Sequence, residues 1–481
     1  MNLSVLNTFF EAIGEVLKTF YNLGGYFKDG VSFEAVALLL FFIIFHIAVV
    51  FMIVMWIRKK VFYKKASSDT DALIRDVQRL SAPGGSNGGY SGLTYPQGVG
   101  GNVAPAKAED DDDEDDNAVK EGESRFYKLT QVDLEYADYV PPAYNNDITL
   151  PEICEMFRNF ACSRMRLYYD IKIIRLFLAS FASTRLIILQ GISGTGKTSL
   201  PYAFGKFLQN DAIIASVQPS WRDRAELFGY FNEFTKRFNE TEVLKKMYEA
   251  TYNEDIYLTI LDEMNIARVE YYFAEMLSIL EMPSRDEWVI DLVPSVWESD
   301  PKHLTDGKLK LPDNMWYIGT CNNDDSTFAV TDKVYDRAMS IDINEKGKPF
   351  DAPYTENLNL SYKHLEDMFR KAFEENKVSE ENLKKISDLD DYVIEHFRLA
   401  FGNRIVKQLK EYVPAYVACG GTEIDGLDYV LCHKILRKFH SLNMSFVRDE
   451  IPGLITYLDK LFGKNNMNEC KDYLRRLQKL I

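Results

Sequence analysis

The sequence has little of what a metal site or a disulfide framework requires. Its 481 residues include six cysteines and six histidines, with no Cys-x-x-Cys pair and no metal-ligand spacing between the two residue types. A zinc site or a set of structural disulfides is therefore not indicated. We expect the thiols to be reduced and mostly buried in a cytoplasmic domain.

An excess of basic residues is also absent. The formal net charge is −16, which argues against a nucleic-acid surface that extends over the whole protein. A local basic groove remains open, but nucleic acid is not indicated as a partner. The length exceeds that of one typical domain, so two or three units are expected.

One long apolar run is present near the N-terminus. Residues 35–57 carry no charged side chain, and 23 helical residues suffice to cross roughly 30 Å of hydrocarbon. A cleaved signal peptide or a buried core helix is the alternative. Both fit poorly, because the run is too long and starts too late for a signal peptide, and no small-residue cleavage site follows it. We predict a single transmembrane helix.

The flanking charges orient this helix. Acidic residues outnumber basic ones before the run, and five basic residues follow it, namely Arg58, Lys59, Lys60, Lys64 and Lys65. The positive-inside rule then places the N-terminus outside the cell membrane and the remainder in the cytoplasm.

Two further N-terminal segments are predicted. Residues 1–25 form an amphipathic helix with a stripe at helical spacing, made of Leu3, Leu6, Phe10, Ile13, Leu17 and Phe20. Residues 66–125 form a disordered tether, because a Gly/Ser-rich stretch and the acidic run EDDDDEDD at 109–116 cannot bury enough apolar surface.

A glycine-rich loop carries the first functional motif. The apolar run from Leu186 to Gln190 predicts a buried strand, and LQGISGTGKTSL leads from it into a helix. The loop fits G-x-x-x-x-G-K-[S/T], with Lys197 placed to reach the β and γ phosphates and the Thr198 hydroxyl placed for Mg²⁺. The predicted nucleotide-binding set is Gly191, Ser193, Gly194, Thr195, Gly196, Lys197, Thr198 and Ser199.

Acidic residues end the next predicted strand. The apolar run Ile256 to Leu261 is followed by Asp262 and Glu263, at the sheet edge where open α/β sheets bind ligands. We predict that Asp262 holds Mg²⁺ through its water shell and that Glu263 activates the attacking water. Without the phosphate loop, such a pair would be equally typical of a helix cap.

A third strand, predicted from Trp316 to Thr320, leads to Asn322. If this strand lies between the other two, the Asn322 amide reaches the γ-phosphate and the lytic water; otherwise Asn322 forms a turn. Arg337 follows a short helix and is predicted to be an arginine finger for a neighbouring subunit. The alternative is a surface arginine paired with Asp336.

Five segments together resemble a known family, namely LQGISGTGKTSL, VQPSWRDRAELFGYFN, LDEMNIARVEYYFAEMLSILE, GTCNNDDSTFAVTDKVYDRA and FGNRIVKQL. They look like an AAA+ NTPase of the branch that holds the McrB-like motor of modified-cytosine restriction and the MoxR and dynein-related modules. The resemblance covers about residues 150–480. It implies an α/β fold, with an AAA+ P-loop parallel-sheet domain at 145–350 and a C-terminal α-helical lid at 356–481.

The resemblance also implies roles and assembly. Asp262 and Glu263 would be the Walker B acids, Asn322 sensor 1, Arg337 the finger acting in trans, and Arg404 a lid sensor 2, or else a salt-bridging helix arginine. The family assembles as a ring, usually hexameric, with nucleotide at subunit boundaries. The cofactors implied are ATP, with GTP as the alternative, and Mg²⁺ held at Thr198 and Asp262.

The sequence departs from the restriction motor at two places. Asp324 and Asp325 replace the acidic–arginine pair after the sensor asparagine, and the predicted span and tether replace a methylated-base-reading domain. A restriction role for this chain alone is therefore not expected. Residues 287–312 resemble the hairpin insertion of this branch, while Trp221, Arg222 and Arg224 could line a ring pore or simply pack.

The predicted function is that of a membrane-tethered AAA+ ATPase whose ring remodels or drives a separately encoded partner protein or effector, as in a defence-like system. A nucleotide-gated membrane scaffold is one alternative. The other is a McrB-like GTPase subunit of a restriction-type nuclease complex.

Overall fold

The computed structural model describes residues 122–322 and 327–480, all of which belong to one compact unit, Asp110–Ile481. The predicted amphipathic helix, the predicted transmembrane helix and nearly all of the predicted tether lie outside these residues and stay predictions. Across the described ranges, no helix is both long and apolar enough to cross a membrane.

The strands of the described residues fall into three sheets. Their bounds are β1 (Leu186–Gly191), β2 (Ile213–Ser216), β3 (Gly229–Asn232), β4 (Arg237–Glu240), β5 (Tyr257–Asp262), β6 (Val289–Asp291), β7 (Leu304–Thr305), β8 (Lys308–Lys310), β9 (Met315–Asn322) and β10 (Met339–Asp342). The central sheet is parallel, in the order β10-β1-β9-β5-β2. The smaller sheets are the hairpin β3-β4 and the antiparallel sheet β6-β8-β7.

Helices precede the central sheet, connect its strands and follow it. Their bounds are α1 (Tyr127–Glu135), α2 (Leu150–Met165), α3 (Ile171–Ser183), α4 (Ser199–Phe207), α5 (Ala225–Phe228), α6 (Glu242–Glu249), α7 (Val269–Tyr272), α8 (Ala274–Ile279), α9 (Asp332–Tyr335), α10 (Tyr362–Glu375), α11 (Glu380–Phe397), α12 (Asn403–Ala418), α13 (Glu423–Lys434), α14 (Met444–Phe462) and α15 (Asn468–Leu480). The predicted α/β fold with a helical C-terminal part is confirmed.

Local sequence signals start many of these helices. Thr149 and Glu152 form a capping box at the start of α2, which satisfies N–H groups that have no partner within the helix. The side chains of Asp170 and Thr241 cap α3 and α6 by accepting from the backbone N–H groups of Lys172 and Leu244. In the C-terminal part, Ser361, Ser379 and Thr422 cap α10, α11 and α13.

Alternation along the buried strands divides the core into two layers. In β1, Leu186 and Ile188 contribute to one cluster of buried residues, whereas Ile187 and Leu189 contribute to the other. This is the two-residue period of a strand covered on both faces. The cluster that contains Ile187 and Leu189 also includes buried residues of helices α10–α15. The helical part therefore packs directly on the α/β part.

Residues 123–136, here called the N-terminal strap, pack on the α/β part. Glu240 accepts hydrogen bonds from the backbone N–H groups of Tyr127, Lys128 and Leu129, each at 2.8 Å, and so caps α1. Arg125 is 1% exposed and paired with Asp300 at 2.7 Å. The tether predicted to extend to residue 125 therefore ends in buried structure, because an ion pair distant in sequence holds Arg125.

Two antiparallel insertions interrupt the parallel sheet. The predicted insertion at 287–312 contains β6, β7 and β8. In the segment before β3, Trp221 packs edge-on against Tyr272 at 5.2 Å, and Arg224 pairs with Glu275 at 2.6 Å. These contacts fit the packing alternative for Trp221 and Arg224.

Candidate functional site

The phosphate loop begins where β1 ends. Gly191, Gly194 and Gly196 have φ values of 137°, 77° and 92°, which L side chains rarely adopt. A Cβ at Gly191 would also lie 2.4 Å from the Ile343 carbonyl oxygen. These glycines let the backbone curl back before α4, leaving its N–H groups at a helix N-terminus.

Lys197 is folded into this loop. Its ammonium donates to the Gly191 carbonyl oxygen at 3.0 Å and to the Ile192 carbonyl oxygen at 2.7 Å, and the residue is buried. Tyr169 supports the loop from outside by donating to the Gly196 carbonyl oxygen at 3.0 Å. Burial raises the pKa of Tyr169, so its phenol remains a donor at neutral pH.

Asp262 lies directly beside the loop. Its Oδ1 accepts hydrogen bonds from the Thr198 hydroxyl at 2.7 Å and from the Thr320 hydroxyl at 2.9 Å. The structure thus joins the two predicted magnesium residues, although they are 64 positions apart in the chain.

This pair fits Mg²⁺ in chemistry. The described residues contain no cluster of three or more His, Cys, Asp or Glu side chains for a metal. A phosphate-bound Mg²⁺ needs few protein ligands, because it keeps several waters and takes oxygens from the phosphates. Thr198 can offer a hydroxyl lone pair while its O–H donates to Asp262, so these two residues would hold the ion and shield phosphate charge.

Glu263 follows in an uncommon backbone conformation. Its φ of 52° and ψ of 47° are left-handed, which turns the side chain out of the strand direction. The backbone N–H donates to the Thr320 hydroxyl oxygen at 2.9 Å. Asn322 Nδ2 lies 3.4 Å from Glu263 Oε1, a separation at the long end for a hydrogen bond.

Strand order explains why Asn322 meets these groups. β9 lies between β1 and β5, and Asn322 is in register with Gly191. The condition set for Asn322, that the third strand lies between the other two, is therefore met. Loop, acids and asparagine all gather at the carboxyl edge of one parallel sheet, where such sheets bind ligands.

Two residues of this site are absent from the sequence prediction. Thr320 contacts both Walker B-type acids, and Asn265 donates from Nδ2 to the Asn322 carbonyl oxygen and the Thr327 hydroxyl, both at 3.0 Å. A signal for Thr320 exists, since it precedes Asn322 by two positions and so faces the same side of β9. Asn265 carries no comparable local signal.

A cavity of about 840 Å³ opens beside the loop, between the sheet and the helical part. Tyr169, Gln190 and Asn344 line it from the sheet side, whereas Tyr429 and His433 line it from α13. Its volume is within the range of small-molecule sites. The cavity thus offers room for a nucleoside next to the phosphate loop.

Arg337 lies at the opposite edge of the sheet. Its carbonyl oxygen accepts a hydrogen bond from Thr184 just before β1, at 2.7 Å. At ~3.3 Å per residue, Thr184 is roughly 20 Å from Gly191 along the strand. The Arg337 side chain is 13% exposed, and its guanidinium pairs with Glu281 at 2.5 Å in its own chain, rather than with Asp336.

Arg404 lies near Arg337 and not near the phosphate loop. It lies in the first turn of α12 and forms an ion pair with the same Glu281. The structure therefore divides the predicted set in two. Lys197, Thr198, Asp262, Glu263 and Asn322 come together, whereas the two arginines lie at the other edge.

Comparison with known proteins gives a limited match. No protein-family model matches the chain. A relative from Escherichia coli K12, the EcoKMcrB subunit of a type IV methyl-directed restriction enzyme, is 28% identical over 190 residues, which cover 37% of this chain and 38% of that protein. The match thus spans well under half of the relative's length.

A solved structure gives a weaker likeness. A Cytophaga hutchinsonii protein described only as a candidate ATPase aligns over 69% of this chain and 96% of its own, with a TM-score of 0.43 and 13% identity. The parallel sheet, the phosphate-loop geometry and the restriction-subunit relative support an AAA+ NTPase of the McrB/MoxR type. In general terms, they support nucleoside triphosphate hydrolysis.

Proposed function

We propose that this protein is a membrane-tethered AAA+ ATPase that forms a ring, expected to be hexameric, and uses hydrolysis to remodel or drive a separately encoded protein partner. One observation carries the catalytic part. Thr198, Asp262, Glu263 and Asn322 are hydrogen-bonded into one site beside the loop, directly or through Thr320. A protein that only binds nucleotide needs no such acid and amide.

The residues have distinct roles in this proposal. Loop N–H groups and Lys197 bind the β and γ phosphates. Glu263 accepts a proton from the attacking water, and Asn322 orients that water and the γ-phosphate. Bound Mg²⁺ neutralises phosphate charge, and Thr198 and Asp262 hold it.

The neighbouring subunit completes the pocket. Because the Arg337 backbone lies beside Thr184, roughly 20 Å from the loop along β1, we propose that Arg337 serves another chain's nucleotide. Its guanidinium would neutralise charge that develops as the phosphoryl group leaves. The sheet edge that carries Arg337 is therefore proposed to face the cavity of the next subunit.

Location and partner rest on the sequence. The apolar run at 35–57 and its basic flank support a single span with the AAA+ part in the cytoplasm. The acidic net charge supports a protein client rather than nucleic acid. The restriction-subunit relative favours one alternative, a GTPase subunit of a nuclease complex.

Turnover by the purified full chain tests the proposal. Glu263→Gln should bind ATP as the wild type does but hydrolyse it at least about 100-fold more slowly, because the general base is lost. The exposed Glu298 provides the control Glu298→Gln, which should retain wild-type turnover. Equal rates for wild type and Glu263→Gln would overturn the motor in favour of a scaffold. Repeating the assay with GTP decides between the two nucleotides.

A further inference from the structure

Glu281 binds two arginines that come from different parts of the chain. Its Oε2 pairs with Arg337, which follows α9 in the α/β part, and its Oε1 pairs with Arg404 in the helical part. The carboxylate side chain is 24% exposed. Each oxygen thus serves one guanidinium, and the two cations share one partly buried anion.

Because two helix ends lie nearby, the stability of this ion-pair cluster depends on the charges of Glu281, Arg337 and Arg404. Glu281 follows the C-terminal end of α8, which disfavours an anion, and Arg404 is near the N-terminal end of α12, which disfavours a cation. Pairing offsets both penalties. Removing the charge of Glu281 would leave two cations close together without their common partner.

Arg337 is fixed more tightly than Arg404. Its Nε donates to the Leu277 carbonyl oxygen at 3.0 Å, and its two other nitrogens donate to the Lys333 carbonyl oxygen and to Glu281, both at 2.5 Å. A guanidinium has five N–H groups, so two are not used by these contacts. Arg337 can therefore donate to a neighbour's phosphate only in the direction that these contacts set.

The helical part reaches the same place by other contacts. Lys434 in α13 donates to the Tyr335 carbonyl oxygen at 2.9 Å, and Lys438 pairs with Asp336 at 2.9 Å. These contacts hold the segment just before Arg337. A movement of the helical part thus acts on both arginines, through α13 and through Arg404.

The geometry points to Glu281 as a positioning residue that orients Arg337 and Arg404 together toward the neighbour's nucleotide. Through Glu281, the position of these two arginines also depends on the position of the helical part of their own chain. This inference rests on the proposed shared pocket. It predicts that the state of one subunit's nucleotide cavity is transmitted to the next pocket through Glu281.

Steady-state kinetics of Glu281→Gln test the role. Full-chain Glu281→Gln should lose roughly 100-fold in kcat, the scale of a small misplacement, with KM and nucleotide affinity unchanged. Glu281→Asp keeps the charge and should recover part of the rate. The exposed Glu287 supplies the isosteric control Glu287→Gln, with wild-type kinetics expected.

Mixed rings separate a role in trans from a structural one. Lys197→Ala subunits cannot bind nucleotide productively, but they keep Glu281 and both arginines. Adding them to Glu281→Gln subunits should raise turnover per Glu281→Gln chain, because intact arginines then face intact loops. A rate that stays low in the mixture, wild-type kcat in Glu281→Gln alone, or loss of its nucleotide binding would each overturn the inference.

A parallel mixture of Arg337→Ala with Lys197→Ala tests the underlying shared pocket. Recovery is expected here as well. No recovery in this mixture would overturn the shared pocket itself. Recovery here with none for Glu281→Gln would leave the proposed function in place and remove only the role of Glu281.

Discussion

At the scale of single residues, the orientation of Glu263 depends on the backbone. Its left-handed conformation is uncommon for a residue with a side chain. The Thr320 hydroxyl accepts from the Glu263 N–H and donates to Asp262, so one hydroxyl fixes both acids. Such a conformation persists where surrounding contacts over-determine it.

Replacing Thr320 tests this dependence. Thr320→Val keeps the shape of the side chain but removes the hydroxyl, which leaves the Glu263 N–H without its acceptor. We expect turnover to fall roughly 10- to 100-fold, in the range seen when partners of metal-site ligands are lost. Nucleotide affinity should change little, because the loop is intact. Thr305→Val in the exposed part of β7 is the control; equal turnover in both variants would contradict the role.

Sequence motifs account for only part of the site. Gly191, Lys197 and Asp262 are predictable because phosphate and Mg²⁺ chemistry restricts which residues can stand there. Asn265 and Glu281 are not, since their partners are distant in the chain and are brought near by register and helix packing. The structure places the loop, the acids and Asn322 together, but the arrangement of Arg404 beside Arg337 emerges only in three dimensions.

At the scale of elements, the four-residue helix α9 is held by the helical part. Lys434 is 3% exposed and donates to carbonyl oxygens of Tyr335, Asp336 and Ala338 at its end. Burial lowers the pKa of Lys434 to about 7; Asp336 opposes this, while Lys438, Arg404 and Arg437 add to it. Stability should therefore depend on pH through this contact.

The sign of that dependence follows from the proton balance. Between pH 7 and about 10, the unfolded chain keeps a proton on Lys434 that the folded chain has lost, so the free energy of unfolding rises with pH. Relative to Lys434→Met, the wild type should gain about 2 kcal/mol between pH 7 and pH 9. Urea unfolding at pH 7 and pH 9 measures this difference in the free energy of unfolding. An equal change with pH in the wild type and in Lys434→Met would contradict the prediction.

The N-terminal strap is a second element held by a buried charge. Arg125 donates to Asp300 from Nε at 2.9 Å, and its guanidinium lies 4.6 Å from the Trp297 ring centroid. This contact ties the strap to the insertion between β6 and β7. No helical periodicity marks such a contact in advance, because it depends on a partner 175 positions away.

Breaking the ion pair of Arg125 with Asp300 should lower the stability of the folded protein. Arg125→Met leaves Asp300 buried without its cation, and we expect the free energy of unfolding to fall by about 3–5 kcal/mol. Removing both charges in Arg125→Met/Asp300→Leu should cost less. The exposed pair of Arg237 with Glu123 at 3.9 Å gives the control Arg237→Met, expected to change stability by less than about 1 kcal/mol. Similar losses for Arg125→Met and Arg237→Met in urea unfolding would be the contrary result.

At the scale of the whole molecule, the two edges of the sheet carry different candidate site residues. The carboxyl edge has the phosphate loop and Glu263, and the opposite edge has both arginines. Apolar runs and turns predict that a parallel sheet forms, but the order β10-β1-β9-β5-β2 requires the register of long-range pairs. The parallel direction of β10 and β1 then separates Arg337 from its own loop, because Arg337 precedes β10 at one edge and the loop follows β1 at the other.

In the proposed shared pocket, this separation should make turnover depend on assembly. An isolated chain has the cradle and Glu263, but its own Arg337 and Arg404 lie at the opposite edge of the sheet, so its hydrolysis should be roughly 1,000-fold slower than in a ring, the scale of an arginine finger. Rate per chain should therefore rise steeply as chain concentration increases through the assembly range, while nucleotide affinity stays nearly constant. Arg337→Ala should remain slow at every concentration, because assembly then supplies no guanidinium. The experiment measures turnover over a dilution series and counts subunits by mass photometry at each concentration. It thereby compares the rate per chain of monomers with that of assembled chains. Monomers that hydrolyse ATP as fast as assembled chains would show that each protein completes its own site.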